Sequence, residues 1–120
     1  MNQTPGDVPA FTPSIAVLDD GAVGVSYYDL RNNNPTQDAI LTDVWLATCH
    51  AGCTDGTNWS EAHVAGSFDL QRAPYAGGFF LGDYEGLAPA GSSFQILFAA
   101  ADPAGSADFS DVYSASLTPP

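Results

Sequence analysis

The feature that most constrains this chain is an alternating run of residues that occurs twice. Val23, Val25 and Tyr27 alternate with Gly24, Ser26 and Tyr28, and Phe94, Ile96 and Phe98 alternate with Gln95 and Leu97. Period two is the signature of a strand, and large residues on one face with mostly small ones on the other suit a sheet packed on both sides. The neighbouring pieces also recur in order. Residues 14–18 read as a strand before the first run, and Asp19-Asp20-Gly21 is an Asp-Gly turn of the kind that closes hairpins. Residues 44–48 give a third strand and 61–65 a short, more polar fourth. In the second half, 79–87 reads as a strand, 89–92 as a turn, 94–98 as the second alternating strand and 111–117 as a third. Val23 and Phe94 stand at an offset of 71, and Asp43-Val44-Trp45 and Asp111-Val112-Tyr113 at 68, the difference falling in loop length.

An internally repeated meandering sheet predicts β-propeller blades. The expectation is an all-β chain of two four-stranded antiparallel blades, the first over about 8–66 and the second over 67–117, within one module. At 120 residues the chain is long enough for one ordinary domain and too short for two. The second copy stops after its third strand, and Thr118-Pro119-Pro120 does not continue it. Val8-Pro9-Ala10-Phe11 is the one candidate for completing it, as an edge strand because of its proline.

Seven Phe, five Tyr and two Trp supply core material, so the chain is not expected to be disordered. Arg31 and Arg72 are the only cations other than histidine, against fourteen carboxylates, and the formal charge of −12 repels nucleic-acid phosphates and anionic membrane surfaces. No apolar run is long enough to span a bilayer. Met1-Asn2-Gln3-Thr4 has neither a basic n-region nor an apolar h-region, so no signal peptide is expected. Cys49 and Cys53 flank His50-Ala51-Gly52 in a loop between two strands, which predicts a local disulfide. Cys49, His50 and Cys53 are three ligands, one short of a structural zinc site, and no metal or other cofactor is expected.

Phe11 to Val17 and Gly21 to Asn32, followed by Thr42-Asp43-Val44-Trp45-Leu46, Ser67-Phe68-Asp69, Ala73-Pro74 and Gly82-Asp83-Tyr84-Glu85-Gly86-Leu87, resemble in order the C-terminal blades of bacterial sialidase-like proteins with BNR (Asp-box) repeats. Thr54-Asp55-Gly56-Thr57-Asn58-Trp59 is a shortened form of that family's Asp-box, a structural turn between outer strands. Asp55 and Trp59 are therefore fold markers, the alternative being an exposed Trp that stacks on sugar. The resemblance implies a six-bladed ring, a carbohydrate-active ancestry, and a bacterial protein of secreted or cell-surface origin. It also implies a grip on acidic sugar by several arginines, with a Tyr-Glu pair and an Asp near the ring axis.

An arginine fork matches the two oxygens of a carboxylate. Arg31 and Arg72 are the candidates here, with Asp29 beside Arg31; a local ion pair is the competing role for Arg31 and a structural one for Arg72. Asp83, Tyr84 and Glu85 are the candidate catalytic residues. Strand alternation puts Asp83 and Glu85 on one face and Tyr84 on the other, which counts against a neighbouring Tyr-Glu nucleophile. The two carboxylates then serve as acid and base, bind a cation, or satisfy backbone donors. His50 and His63 have no Ser or Cys at a recognisable spacing, so no triad is expected. Asp102, Asp108 and Asp111 lack a calcium-loop pattern. Asn58-Trp59-Ser60 matches a glycosylation sequon and discriminates nothing further.

The resulting expectation is a self-assembling or glycan-binding scaffold module without independent catalysis. The alternative is a sialidase-type exo-glycosidase whose pocket is completed by symmetric copies. Apolar outer faces predict head-to-tail contact between copies, and three copies of two blades would close a homotrimeric six-bladed ring.

Overall fold

The computed structural model describes residues 3–120. Seven strands form two antiparallel sheets. The first sheet contains β1 (Ala10–Val17), β2 (Val23–Asp29), β3 (Leu41–Cys49) and β4 (Ser60–Asp69), in that spatial order. The second contains β5 (Gly86–Ala90), β6 (Ser93–Ala101) and β7 (Ser110–Leu117). Within each sheet every strand pairs with the next in sequence, so both sheets are simple meanders. Two single-turn 3-10 helices, Gly56–Asn58 and Leu70–Arg72, are the only helical pieces among the described residues.

The β1–β2 turn follows from its residues. Gly21 takes φ +90°, open to glycine without strain, Leu18 and Ala22 close the hairpin, and the Asp20 carboxylate accepts from the Ala22 N–H. In the first sheet β2 and β3 pair without interruption from Val23↔Cys49 to Asp29↔Asp43, whereas β1 and β4 each carry a register shift.

The core lies between the sheets. Tyr28 of β2 and Val44 and Leu46 of β3 meet Phe94, Ile96 and Phe98 of β6 there. The repeat explains the fit: the small side of β2 faces the large side of its counterpart β6. A Cβ on Gly24 would lie 2.7 Å from the Phe94 ring, so the glycine makes room for the phenylalanine. The Tyr28 hydroxyl crosses the interface, donating to the Ala99 carbonyl at 2.8 Å and accepting from the Ala99 N–H at 3.0 Å. The β5–β6 ladder ends at Gly86↔Leu97, two residues short of Ala99, and Tyr28 satisfies the backbone groups beyond it.

Four sequence expectations need correction. Residues 79–85 are not strand: the Tyr75↔Phe79 bridge and positive φ at Gly77 and Gly82 fold this stretch back on itself, and β5 begins at Gly86. Pro89 and Ala90 belong to β5, so the turn is confined to Gly91-Ser92. Ala10 and Phe11 pair with Asp29 and Tyr28 inside the first sheet, which leaves the second with three strands and not four. The aromatic ring of Phe11 stacks on Tyr28 at 5.3 Å, a contact that anchors it there. The first sheet also runs further than the pattern indicated, since β4 continues through Ser67 and Phe68 to Asp69.

Candidate functional site

Strand directions gather the chemistry-bearing residues at one end of the molecule. Asp29 ends β2, Asp69 ends β4 and Ala101 ends β6, while the connections 30–40, 70–85 and 102–109 all emerge beside them. Arg31, Arg72, Asp83, Tyr84 and Glu85 lie on this end. The other end carries the Cys49–Cys53 disulfide (Cα–Cα 5.8 Å) and the loop from Thr54 to Trp59. There the Asp55 carboxylate caps the 3-10 turn by accepting from the Thr57 N–H and hydroxyl, which holds its pKa below the usual carboxylate range. The Trp59 indole N–H donates to the Cys53 carbonyl, so this tryptophan is tied into the loop.

Arg31 sits inside an ion-pair network that uses four of its five N–H donors. Its Nε donates to Asp29 at 2.7 Å and its Nη1 to Glu61 at 2.6 Å. Nη2 reaches the Thr4 hydroxyl at 2.9 Å and the Tyr27 hydroxyl at 3.2 Å, and the guanidinium lies 3.8 Å above the Trp45 ring. The Tyr27 hydroxyl also donates to Glu61 and the Thr4 hydroxyl to Asp29. Asp29 is fully buried and Glu61 nearly so. Two buried carboxylates hold one arginine, and no fork remains for an incoming acid.

A second network joins β3 to β4. Asp43, fully buried, bonds the His63 Nε2 at 2.7 Å, the Ser67 hydroxyl at 2.9 Å and the Asn32 amide at 3.0 Å. Serine and histidine both address the aspartate and not each other, so the set is no nucleophile relay. The sequence marked Asp43 only as a point of the internal repeat and of the family resemblance, and gave it no place in a site.

Arg72 has a different setting. Its Nε donates to the Asp102 carbonyl at 2.6 Å and Nη2 to the Pro103 carbonyl at 3.0 Å, tying the Leu70–Arg72 turn to the β6–β7 connection. Carbonyls neutralise none of its charge. Beside it opens a cleft of about 470 Å³ lined by Gln71, Arg72, Ala73, Pro74, Tyr75 and Phe109. Tyr75 is 76% exposed and Phe109 68%, and Phe79 meets Tyr75 edge-on at 6.1 Å. Phe80 and Tyr84 are exposed on the same connection. The sequence flagged none of these aromatics as a group, because Phe109 joins the others only through the fold.

Asp83, Tyr84 and Glu85 do not form a unit. Without strand alternation here, Tyr84 points out at 92% exposure and Asp83 is exposed, whereas Glu85 turns inward at 8%. Glu85 lies by the hydroxyls of Ser26 and Tyr28. Burial pushes its carboxyl up to about 7, the two hydroxyls pulling the other way. The Tyr28 proton is already committed to Ala99, and neither Glu85 oxygen nor the Ser26 hydroxyl has a well-formed hydrogen bond. Burial, then the adjoining Glu85 charge, raise the Tyr28 phenol in turn.

Among the described residues no cluster of His, Cys, Asp and Glu is arranged to hold a metal ion, and no helix is long and apolar enough to cross a membrane. Comparison with protein-family models, curated proteins and solved structures gave no match.

Proposed function

We propose that the chain is a sialidase-like β-propeller blade pair that serves as a glycan-binding scaffold and has no catalysis of its own. The observation that carries this reading is the cleft beside Arg72, where Tyr75 and Phe109 stand exposed with Phe79 braced against Tyr75. Aromatic faces suit the C–H faces of sugar rings, and a cation lining the same cleft suits an acidic substituent. The blade reading is supported by the repeated meander, by the stacking of the small side of β2 on the large side of β6, and by the Asp55-capped turn between β3 and β4.

The exo-glycosidase alternative requires Arg31, Arg72, Asp83, Tyr84 and Glu85 around one pocket. Arg31 is occupied by Asp29 and Glu61, and Glu85 points away from Tyr84, so the separate positions favour binding over hydrolysis. Calorimetric titration with neutral and sialylated oligosaccharides tests the proposal. Binding is expected to fall at least about tenfold in Tyr75→Ala and Phe109→Ala, a loss of about 1.4 kcal/mol. Equal binding by both variants would refute it. Hydrolysis of a sialoside by the protein would favour the enzyme.

A second reading, assembly, rests on the outer faces. Ile15 (68% exposed) and Val17 leave the β1 side of the first sheet's outer face bare, beyond the part that Arg31 covers over Trp45, and Leu97 and Val112 are exposed on the second sheet. Apart from Gln95, the outer face of the second sheet is otherwise small, with Ala88, Ala99, Ser114 and Ser116. Bulky aliphatics on small residues would repeat the internal β2–β6 packing between copies, giving a head-to-tail ring of three.

A further inference from the structure

The open edge of β7 is the site of the next inference, which stands on the repeat and not on the glycan reading. In the first sheet β3 is flanked by β2 and β4; its counterpart β7 is flanked by β6 alone. The hydrogen-bond phase of that edge follows from Tyr28. Ala99 spends its N–H and C=O on the Tyr28 hydroxyl, away from β7, so the Ala99↔Val112 pair is a non-hydrogen-bonded one. Val112 therefore turns its own N–H and C=O outward. By alternation along an uninterrupted register, Ser110, Ser114 and Ser116 do the same.

Three further observations say what fits there. Tyr113 is 43% exposed although its ring stacks on Phe98 on the core side, as expected where a flanking strand would cover it. Cavities lie between the two sheets near this edge, one at the C-terminal end of β7 beside the Pro119-Pro120 tail and one past the end of β6 with no β7 residue in its lining. The first, of about 150 Å³, is bounded by Leu46, Ser60, Ala62 and Leu117, and the second, of about 430 Å³, by Phe68, Asp69, Ala101 and Asp102. The edge also lacks the usual guards against pairing: β7 has no proline, no lysine and no bulge, and Asp111 is its one charge.

We propose that β7 is a docking edge for one extended peptide strand, bound antiparallel as β4 is bound to β3 and seated between β7 and the overlying β4. Main-chain bonds to Val112, Ser114 and Ser116 supply the affinity, and alternate apolar side chains cover Tyr113, Ala115 and Leu117. A chain of net charge −12 selects a neutral or basic strand over an acidic one.

The probe is an acetylated, amidated octapeptide of alternating valine and threonine with lysine at each end, titrated into the isotopically labelled protein. Amide shifts are expected to concentrate on β7 and the facing part of β4. The same peptide N-methylated at its threonines, which stand opposite Val112, Ser114 and Ser116 when the valines face the core, loses the N–H groups that meet β7 and should not bind. Ser114→Pro removes an N–H that the folded chain does not use, at an edge position where proline is tolerated, and should weaken binding about tenfold or more. Absence of shifts at millimolar peptide, shifts confined to other elements, equal binding of the N-methylated peptide, or equal binding by a folded Ser114→Pro variant would each overturn the proposal. Tyr75→Ala leaves this edge untouched, so peptide binding and sugar binding succeed or fail separately.

Discussion

Replacing Glu85 by glutamine removes a buried acid whose ionisation the fold opposes, and the consequence can be worked out in magnitude. The carboxyl moves from an ordinary 4.5 to about 7 because burial penalises its charged form. Between those two values the folded protein holds a proton that the unfolded chain has released, so stability falls as pH rises. The stabilisation is complete below about pH 4.5 and is lost as pH climbs through 7. At about 1.4 kcal/mol per unit, the full swing is about 3 kcal/mol. Glutamine keeps the shape of the protonated acid and cannot ionise. Urea unfolding of wild type and Glu85→Gln at pH 5 and pH 8 should therefore show a gap between the proteins that shifts by about 2–3 kcal/mol in favour of the variant at the higher pH. Other carboxylates titrate in both proteins and cancel in that difference. Parallel profiles would mean that Glu85 reaches water or a partner in solution, and the account of the β2–β6 interface would fail with it.

Arg31→Ala leaves Asp29 and Glu61 buried without their cation, and chemical denaturation should register a loss of about 3–5 kcal/mol, where a purely ligand-binding arginine would cost almost nothing. Gly24→Ala drives a methyl into the Phe94 ring and should cost about 1–3 kcal/mol in the same assay. The Cys49–Cys53 bridge spans a sequence separation of only four, so Cys49→Ser with Cys53→Ser should cost about 2 kcal/mol, and a thiol titration of the unfolded wild-type protein should find none free. Light scattering should give the mass of three chains, more completely at high salt than at low because screening weakens the repulsion of −12 on each copy; a monomer at every salt concentration would rule out the ring.

Where packing obeys a period, the sequence was readable. The β2 and β6 runs place a large residue at every second position, so both strands and their equivalence follow from spacing; which side of each faces the other sheet does not, and the fold sets the Gly24 side of β2 against the Phe94 side of β6. The stretch 79–85 misled because its aromatic and apolar residues read as a strand, yet it belongs to neither sheet, and glycines at 77 and 82 bend it instead. That single error displaced the expected site. It put Asp83 and Glu85 on one face, when only Glu85 enters the interior. Arg31 was legible as an ion pair with Asp29, two residues away; Glu61, thirty residues on, was not, since nothing local marks a strand neighbour across β3. The aromatic cleft depends on Phe109 approaching Tyr75 from a different sheet connection, a contact no short-range pattern encodes. Arg72 held the remaining ambiguity: its two carbonyl bonds give it a structural duty, yet its charge stays unpaired beside the cleft, so Arg72→Ala would mix loosening of the 102–109 connection with loss of a cation.

The most direct test of the central claim is to map oligosaccharide contacts on the isotopically labelled protein by nuclear magnetic resonance, following backbone and aromatic resonances through a titration. Glycan binding at the cleft beside Arg72 predicts shifts centred on Arg72, Tyr75 and Phe109, larger for sugars carrying a carboxylate, with the Arg31 network unmoved. Resonances that stay in place at millimolar sugar, or that move around Arg31 and Glu61 instead, would contradict it.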